Sequence, residues 1–329
     1  MEGASRPKVL FFSAKPDERL LQRLGEVAEV VLPASPGLSP QEVIQRQAAD
    51  VDVALGTVPW PAAAQALAPR LRLIATISVG FDHIDVPAAT QRGILVTHTP
   101  DVLTDTTADT AFALLMMAGR RLGEAERFVR AGKWRSPGDA TLLFGRDVHH
   151  ATLGIVGLGR IGKAVARRAQ GFGMKVIYYD IVRQEELEKQ HGYQFVDFDT
   201  LLRESDFVTL HTNLTPETRH LMGAAQFAKM KPTAVLINAS RGPVVDEQAL
   251  IAALREGRIA AAGLDVFEKE PTDPDNPLLK MENVVVIPHI GSATAATRGA
   301  MADLAVSNVV AFLRGEPPLT PVNPEALAR

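Results

Sequence analysis

The sequence predicts an α/β protein of two doubly wound parallel sheets, the first domain interrupted in sequence by the second. Three observations carry that expectation. Short apolar runs alternate with helical stretches in two successive series, a glycine-rich turn opens the second series, and a helical stretch after the last strand has no strand of its own. The 329 residues exceed one ordinary core and suit two domains of roughly 100–200 residues each.

In the first series, residues 8–12, 27–32, 51–55, 73–77 and 94–97 read as strands. Runs that are apolar throughout belong in a parallel sheet covered on both faces. Amphipathic stretches lie between them, such as 40–49 with Ser39 as its N-cap. A long helical stretch over 107–131 follows, interrupted by polar residues near Arg120 and Arg121. Its apolar run, 111–118, is far short of the ~20 residues of a membrane span and reads as buried helix. The second series places strands at 153–156, 176–179, 207–210, 234–237, 261–266 and 284–287. The helical pattern over 293–313 is read as packing back on the first sheet. The expected domains are therefore 1–100 with 291–329, and 101–290, with two crossings acting as a hinge over a cleft. Residues 317–329, rich in proline and polar groups, are expected to form a loose tail.

A net charge of −3 gives no polybasic signature, so neither nucleic acid nor an anionic membrane is expected as a partner. The chain has no cysteine, which excludes disulfides, thiolate metal sites and a cysteine nucleophile, and fits a reducing cytoplasm. The first seven residues, Met1 to Pro7, lack the apolar core of a secretory signal.

Gly157-Leu158-Gly159-Arg160-Ile161-Gly162 follows the strand 153–156 and opens an amphipathic helix over 161–170. This spacing has a mechanical basis. The first glycine permits a tight turn, the second lets backbone approach a pyrophosphate, and the third lets the helix pack closely on the strand. The helix N-terminus adds free N–H groups and a positive dipole end. Asp180 ends the next strand, where a carboxylate accepts bonds from a ribose and repels a 2′-phosphate. The same glycines begin a nucleoside-triphosphate loop, but that loop needs Ser or Thr after Lys163, and Ala164 stands there. The pattern therefore predicts a dinucleotide domain, with NAD(H) preferred through Asp180 and NADP(H) kept open by Arg183.

Three strand ends carry further chemistry. His289 ends the last strand, where ligands of open α/β sheets bind, and is a candidate acid/base. Glu270 lies just beyond the strand 261–266, and a carboxylate beside an imidazole fixes its tautomer. Arg241 follows the strand 234–237 and can clamp a carboxylate through two parallel bonds. Glu268 and Lys269 read as solvated loop charges. No metal site is expected. His149-His150 is the only adjacent histidine pair, and neighbours on an extended chain face opposite ways.

The stretches 157–162, 238–242, 263–271 and 288–292 resemble the D-isomer-specific 2-hydroxyacid dehydrogenases, and the likeness extends over essentially the whole chain. It implies a Rossmann dinucleotide domain and a flavodoxin-like substrate domain that is discontinuous in sequence. It also implies that Arg241 binds a substrate carboxylate, His289 donates the proton and Glu270 orients it. The same resemblance gives the backbone of Val79 and Gly80, with Ser292, to the substrate, and Asp265 to the nicotinamide carboxamide. It gives Arg160 and Ile161 to the pyrophosphate, and Thr107, Asn213, Ala239 and Gly291 to the cofactor site. Within the family, 77–83, 99–108 and 289–294 look most like glyoxylate/hydroxypyruvate reductases. The implied reaction is reduction of a small 2-keto acid to the D-2-hydroxy acid. That subfamily often uses NADPH, and its mammalian-type members lack an acid at the position of Asp180. Such enzymes are dimers, and 107–131 with Trp134 and Leu142-Leu143-Phe144 resembles their dimerisation arm. The alternative is a dinucleotide-sensing corepressor on the same fold, a binding protein for which catalysis is secondary. A hydrolase is not expected, because neither a G-x-S-x-G elbow nor an H-E-x-x-H helix occurs.

Overall fold

The computed structural model describes residues 6–13, 15–35 and 37–328; residues 1–5, which carry most of the expectation about a signal segment, lie outside them. In chain order the elements begin with β1 (Lys8–Phe11), α1 (Glu18–Gly25), β2 (Glu29–Val31), α2 (Pro40–Gln47), β3 (Val53–Leu55), α3 (Ala62–Ala66), β4 (Leu73–Ala75), α4 (Val86–Gln91) and β5 (Leu95–Thr97). The middle of the chain forms α5 (Thr104–Gly119), α6 (Leu122–Arg130), β6 (Thr152–Val156), α7 (Arg160–Gly171), β7 (Lys175–Tyr179), α8 (Glu185–His191), β8 (Gln194–Phe195), α9 (Phe198–Glu204), β9 (Phe207–Leu210), α10 (Ala224–Phe227), β10 (Val235–Asn238), α11 (Glu247–Arg255), β11 (Ala261–Leu264) and β12 (Val284–Val286). The last helix is α12 (Ala295–Leu313). The chain divides into two compact units, Met1–Leu103 with Thr294–Arg329, and Thr104–Ala293.

The first unit is a five-stranded sheet of order β2-β1-β3-β4-β5, parallel throughout. Its strands are buried and apolar, so each face needs a cover. Ala305, Val306 and Val309 of α12 pack on Val9, Val53, Leu73 and Leu95 at one face. Val43 and Ile44 of α2 join Leu10, Ala54 and Ile74 at the other. Ser39 caps α2 in a capping box with Glu42. The segment after α12 is not the loose tail expected from its composition. Asn323 is buried; its Oδ1 accepts from Val96 N–H (2.7 Å), and its Nδ2 donates to Ile94 O (3.0 Å). Val322 N–H reaches Val96 O (2.8 Å). The edge strand β5 has open backbone groups, and this segment satisfies them.

The second unit holds a seven-stranded parallel sheet of order β12-β11-β10-β9-β6-β7-β8. The sequence pattern gave six strands. The seventh, β8, is a two-residue edge strand, too short for any periodicity to mark. Strand order reverses between β6 and β9, which is the switch point of a doubly wound sheet. The apolar run of α5 is buried, with Ala111, Phe112, Leu114 and Leu115 in the core beneath β6, β9 and β10. The expected long helix is two helices. Arg121 takes a left-handed φ of +54°, which ends α5 and restarts the chain as α6. Several predicted strands are also one to three residues shorter than their apolar runs. Val27 and Ala28, for instance, turn back onto Leu24 O and do not enter β2. Among the described residues no helix is long and apolar enough to cross a membrane.

Candidate active site

The switch point opens at the carboxyl ends of β6 and β9. Gly157 turns the chain out of β6 with φ +92°, and a β-carbon there would lie 2.8 Å from His211 O. Gly159 has nothing within 4 Å of a β-carbon position, whereas one on Gly162 would lie 2.2 Å from Gly157 O. The three glycines thus make the turn, leave an open approach and allow close packing of the helix. No side chain caps α7 at Gly159, so the helix N-terminus presents its positive dipole end at this turn.

Asp180 is fixed beside this loop. Its Oδ2 accepts from Leu158 N–H (2.7 Å) and its Oδ1 from Val182 N–H (3.1 Å). Both donors are backbone, so each oxygen keeps lone-pair capacity for ribose hydroxyls. Ile181, 94% exposed, stands next in the chain. Arg183 is committed elsewhere. Its Nε and Nη2 fork onto Glu188 at 2.9 and 2.7 Å. The Arg183 hydrogen bond, with help from the Tyr178 hydroxyl, pulls the Glu188 carboxyl down to about 2, and the same pairing pushes the guanidinium up.

At the end of β9, His211 Nε2 pairs with Thr209 Oγ1 (2.9 Å). Part of the residue reaches the surface, yet the imidazole is enclosed, and desolvation pushes its pKa down to about 4. Its Nδ1 and the Thr212 hydroxyl are buried without a partner among the described residues. Unmet buried polar atoms are costly. The backbone of His211 and Thr212 is what a β-carbon on Gly157 would meet, so both residues stand at the switch point, where the open glycine and the uncapped helix fit a dinucleotide.

Three loops at neighbouring strand ends bring Arg241, Glu270 and His289 together. The buried Asn238 shapes the first: its Oδ1 accepts from Ser240 N–H and Oγ (3.1 and 2.9 Å), and its Nδ2 donates to Arg241 O (2.9 Å). A β-carbon on Gly242 would lie 1.7 Å from Phe267 O, so only glycine lets the Arg241 loop approach the Glu270 loop this closely. Glu270 Oε1 accepts from Phe267 N–H (3.0 Å), and its Oε2 pairs with His289 Nδ1 (2.7 Å). Burial pushes the Glu270 carboxyl up, but the bonds from His289 and Phe267 and the nearby charges of His289 and Arg241 outweigh it. The net position is below the ordinary carboxylate value. His289 holds a left-handed φ of +52° with its side chain 48% exposed. Asp265 supports that strained backbone: its carbonyl accepts from His289 N–H (2.8 Å), and its carboxylate accepts from Ile290 and Gly291 N–H (2.6 and 2.8 Å). Burial raises the Asp265 carboxyl.

The other expected residues of this unit lie around the same strand ends. Thr107 is buried on α5, Ala239 is buried in the turn after β10, and Ser292 follows Gly291. Asn213 is exposed after β9, its carbonyl accepting from Thr218 Oγ1 (2.7 Å). In the first unit, Val79 and Gly80 follow β4. Ser78 Oγ donates to Gly80 O (2.7 Å) and His98 Nδ1 to Val79 O (2.9 Å), while the N–H groups of Val79 and Gly80 make no bond among the described residues. Sequence reasoning missed His211 and Thr212, although the strand-end rule that singled out His289 applies to them equally. Glu268 is not a free loop charge: it pairs with His220 Nε2 (2.7 Å). Among the described residues no group of three or more His, Cys, Asp or Glu could hold a metal ion.

Comparison with known proteins agrees with this geometry. Residues 112–291 match the family described as D-isomer specific 2-hydroxyacid dehydrogenase, NAD binding domain. The chain is 52% identical over 324 residues to a glyoxylate reductase of Korarchaeum cryptofilum, covering 98% of this chain and 97% of that one. It is 52% identical to a glyoxylate/hydroxypyruvate reductase B of Escherichia coli, over 97% of this chain and 98% of the other. Among solved structures, an NADPH-dependent glyoxylate/hydroxypyruvate reductase of Sinorhizobium meliloti, in complex with NADP and malonate, superposes with a TM-score of 0.85. The two chains are 37% identical, with 98% of each covered.

Proposed function

The chain belongs to the D-isomer specific 2-hydroxyacid dehydrogenase family, and from that membership we infer an NAD(P)H-dependent reductase of glyoxylate and hydroxypyruvate, forming glycolate and D-glycerate. The observation that carries the chemistry is the His289–Glu270 pair at 2.7 Å, with the Arg241 charge acting on the same carboxylate. A bound reduced nicotinamide supplies hydride to the 2-keto carbon. The protein must then hold the carboxylate, polarise the carbonyl and deliver one proton to its oxygen. Nδ1–H of His289 is taken by Glu270, which fixes the ring and leaves Nε2 as the proton-delivering atom. The depressed Glu270 carboxyl stays ionised at neutral pH and stabilises the charged imidazole. Arg241 offers a fork for the substrate carboxylate, and the unpaired amides of Val79 and Gly80 offer two further donors to the same kind of group.

The dinucleotide is assigned to the Gly157–Gly162 turn, with Arg160 and Ile161 amides toward pyrophosphate and Asp180 toward the adenosine ribose. Asp265, Thr107, Asn213, Ala239 and Gly291 border the site, and Ser292 follows on the substrate side. In this reading the second unit is the dinucleotide domain and the first is the substrate domain. NAD(H) is the preferred coenzyme, supported by the Asp180 carboxylate and by the engagement of Arg183 with Glu188. The working form is a homodimer. Leu142, Phe144 and Trp134 are 67%, 76% and 59% exposed, and Phe144 borders a cavity of about 490 Å³ lined also by Met117, Arg121, Val235 and Val285. A second copy is the partner that such an apolar arm fits. The cytoplasm is the expected compartment, consistent with a nicotinamide coenzyme. The sensing alternative is not favoured, since the curated relatives are named as reductases.

The deciding experiment follows reduced-coenzyme absorbance with glyoxylate, hydroxypyruvate, pyruvate, 2-ketogluconate and phosphohydroxypyruvate, each with NADH and NADPH. Highest kcat/KM with glyoxylate or hydroxypyruvate supports the reading; turnover confined to another keto acid overturns the substrate, and none with any of them overturns the activity.

A further inference from the structure

The loop after β7 and the start of α8 carry four carboxylates and one guanidinium between residues 180 and 188, namely Asp180, Glu185, Glu186, Glu188 and Arg183. Arg183 is the only cation in that stretch that could meet a phosphate on the adenosine ribose. It is held by a carboxylate that is itself anchored. Tyr178 is fully buried, its hydroxyl accepts from Gln184 N–H (2.7 Å) and donates to Glu188 Oε1 (2.8 Å). The Glu188 side chain is only 15% exposed, against 55% for Arg183. The guanidinium also lies 5.7 Å over the Phe195 ring, which packs edge-on against Tyr178 at 5.4 Å. Serving a 2′-phosphate would require Arg183 to give up a bidentate charged pair and would leave a dianion beside Asp180 and a Glu188 carboxylate stripped of its cation. A bare ribose requires neither.

We propose that Glu188 is a specificity-determining residue: it latches Arg183 away from the adenosine ribose, so that the site presents Asp180 without a free cation and favours NAD(H) over NADP(H). This deepens the dinucleotide reading above and rests on it. Tyr178 acts as a positioning residue that keeps the Glu188 carboxylate in place.

Calorimetric titration with NADH and with NADPH, in the absence of keto acid, tests the latch without relying on turnover. The wild-type chain binds NADH more tightly. Glu188→Gln frees the guanidinium and tightens NADPH by about tenfold, the scale of one charged hydrogen bond, while NADH changes by less than about twofold. Tyr178→Phe loosens the anchor and shifts the ratio in the same direction by less. The double variant Arg183→Gln/Glu188→Gln loses the gain, because the released cation is what produces it. A wild-type preference for NADPH, an unchanged ratio in Glu188→Gln, or a gain that persists in the double variant would each overturn the proposal. Failure of the wild-type chain to bind either coenzyme would overturn the dinucleotide reading itself, and the latch with it.

Discussion

His289 concentrates the cost and the use of this site in one residue. Its backbone holds a left-handed conformation that a non-glycine residue adopts at a cost of order 1–3 kcal/mol, and Asp265 holds it there through three backbone hydrogen bonds. The return is a half-exposed imidazole with one nitrogen already engaged by Glu270. Replacing His289 with Ala should lower kcat by about 10²–10⁴-fold, the usual scale of positioned proton transfer; steady-state rates close to wild type would remove His289 from the role of proton donor. Glu270→Gln keeps the shape but removes the charge, so the pH profile of the reduction should lose its alkaline limb earlier, moving the optimum to lower pH. Stability should respond as well. The folded Glu270 carboxyl lies below its ordinary 4.5, so its contribution is present above that pH and is lost as pH falls through the folded value. Thermal melts taken downward from about pH 5 should therefore show a steeper loss for wild type than for Glu270→Gln, and parallel curves would argue against the pairing.

At the scale of elements, the turn from β6 into α7 separates folding from binding within six residues. A β-carbon on Gly159 meets open space, and its φ of −74° suits any residue. Gly159→Ala should leave Tm within about a degree or two while weakening coenzyme binding, since the methyl occupies the approach to the phosphates. Gly162→Ala drives a β-carbon to 2.2 Å from Gly157 O and should cost about 1–3 kcal/mol as overpacking, seen as a lower denaturant midpoint. If both substitutions moved stability alike, the separate jobs assigned to the two glycines would be wrong. Elsewhere, close approach matters more than periodicity. Gly242 is tied to Phe267 O, and that contact brings the Arg241 and Glu270 loops to one place although 28 residues separate the two side chains in sequence.

The whole molecule adds the question of assembly. Leu142 and Phe144 expose most of their side-chain surface, an arrangement that a lone chain in water does not favour when the apolar groups are contiguous. Phe144→Glu, alone or with Leu142→Glu, should shift sedimentation at micromolar protein from dimer toward monomer and leave the site geometry untouched. A wild-type chain that sediments only as monomer would end the dimer reading.

What the sequence determined by itself was the order and type of most elements and which ionisable side chains stand at strand ends. Apolar runs such as 207–210 reappear as strands, because burial on both faces of a parallel sheet writes an unbroken apolar pattern. The glycine spacing at 157–162 likewise states a backbone requirement that few other residues can meet. Tertiary structure decided what depends on groups distant along the chain. The two-residue β8 exists only because β7 offers it an edge, and the carboxyl-terminal segment is ordered because Asn323 completes the backbone bonding of β5. The pairing of His289 with Glu270 required two loops to meet, and the holding of Arg183 by Glu188 required a buried tyrosine to fix the carboxylate. A sequence shows which side chains can ionise or donate. Which partner each one finds is set by packing, since a charge–partner contact is made or lost over an ångström or two, a distance that composition and periodicity do not encode.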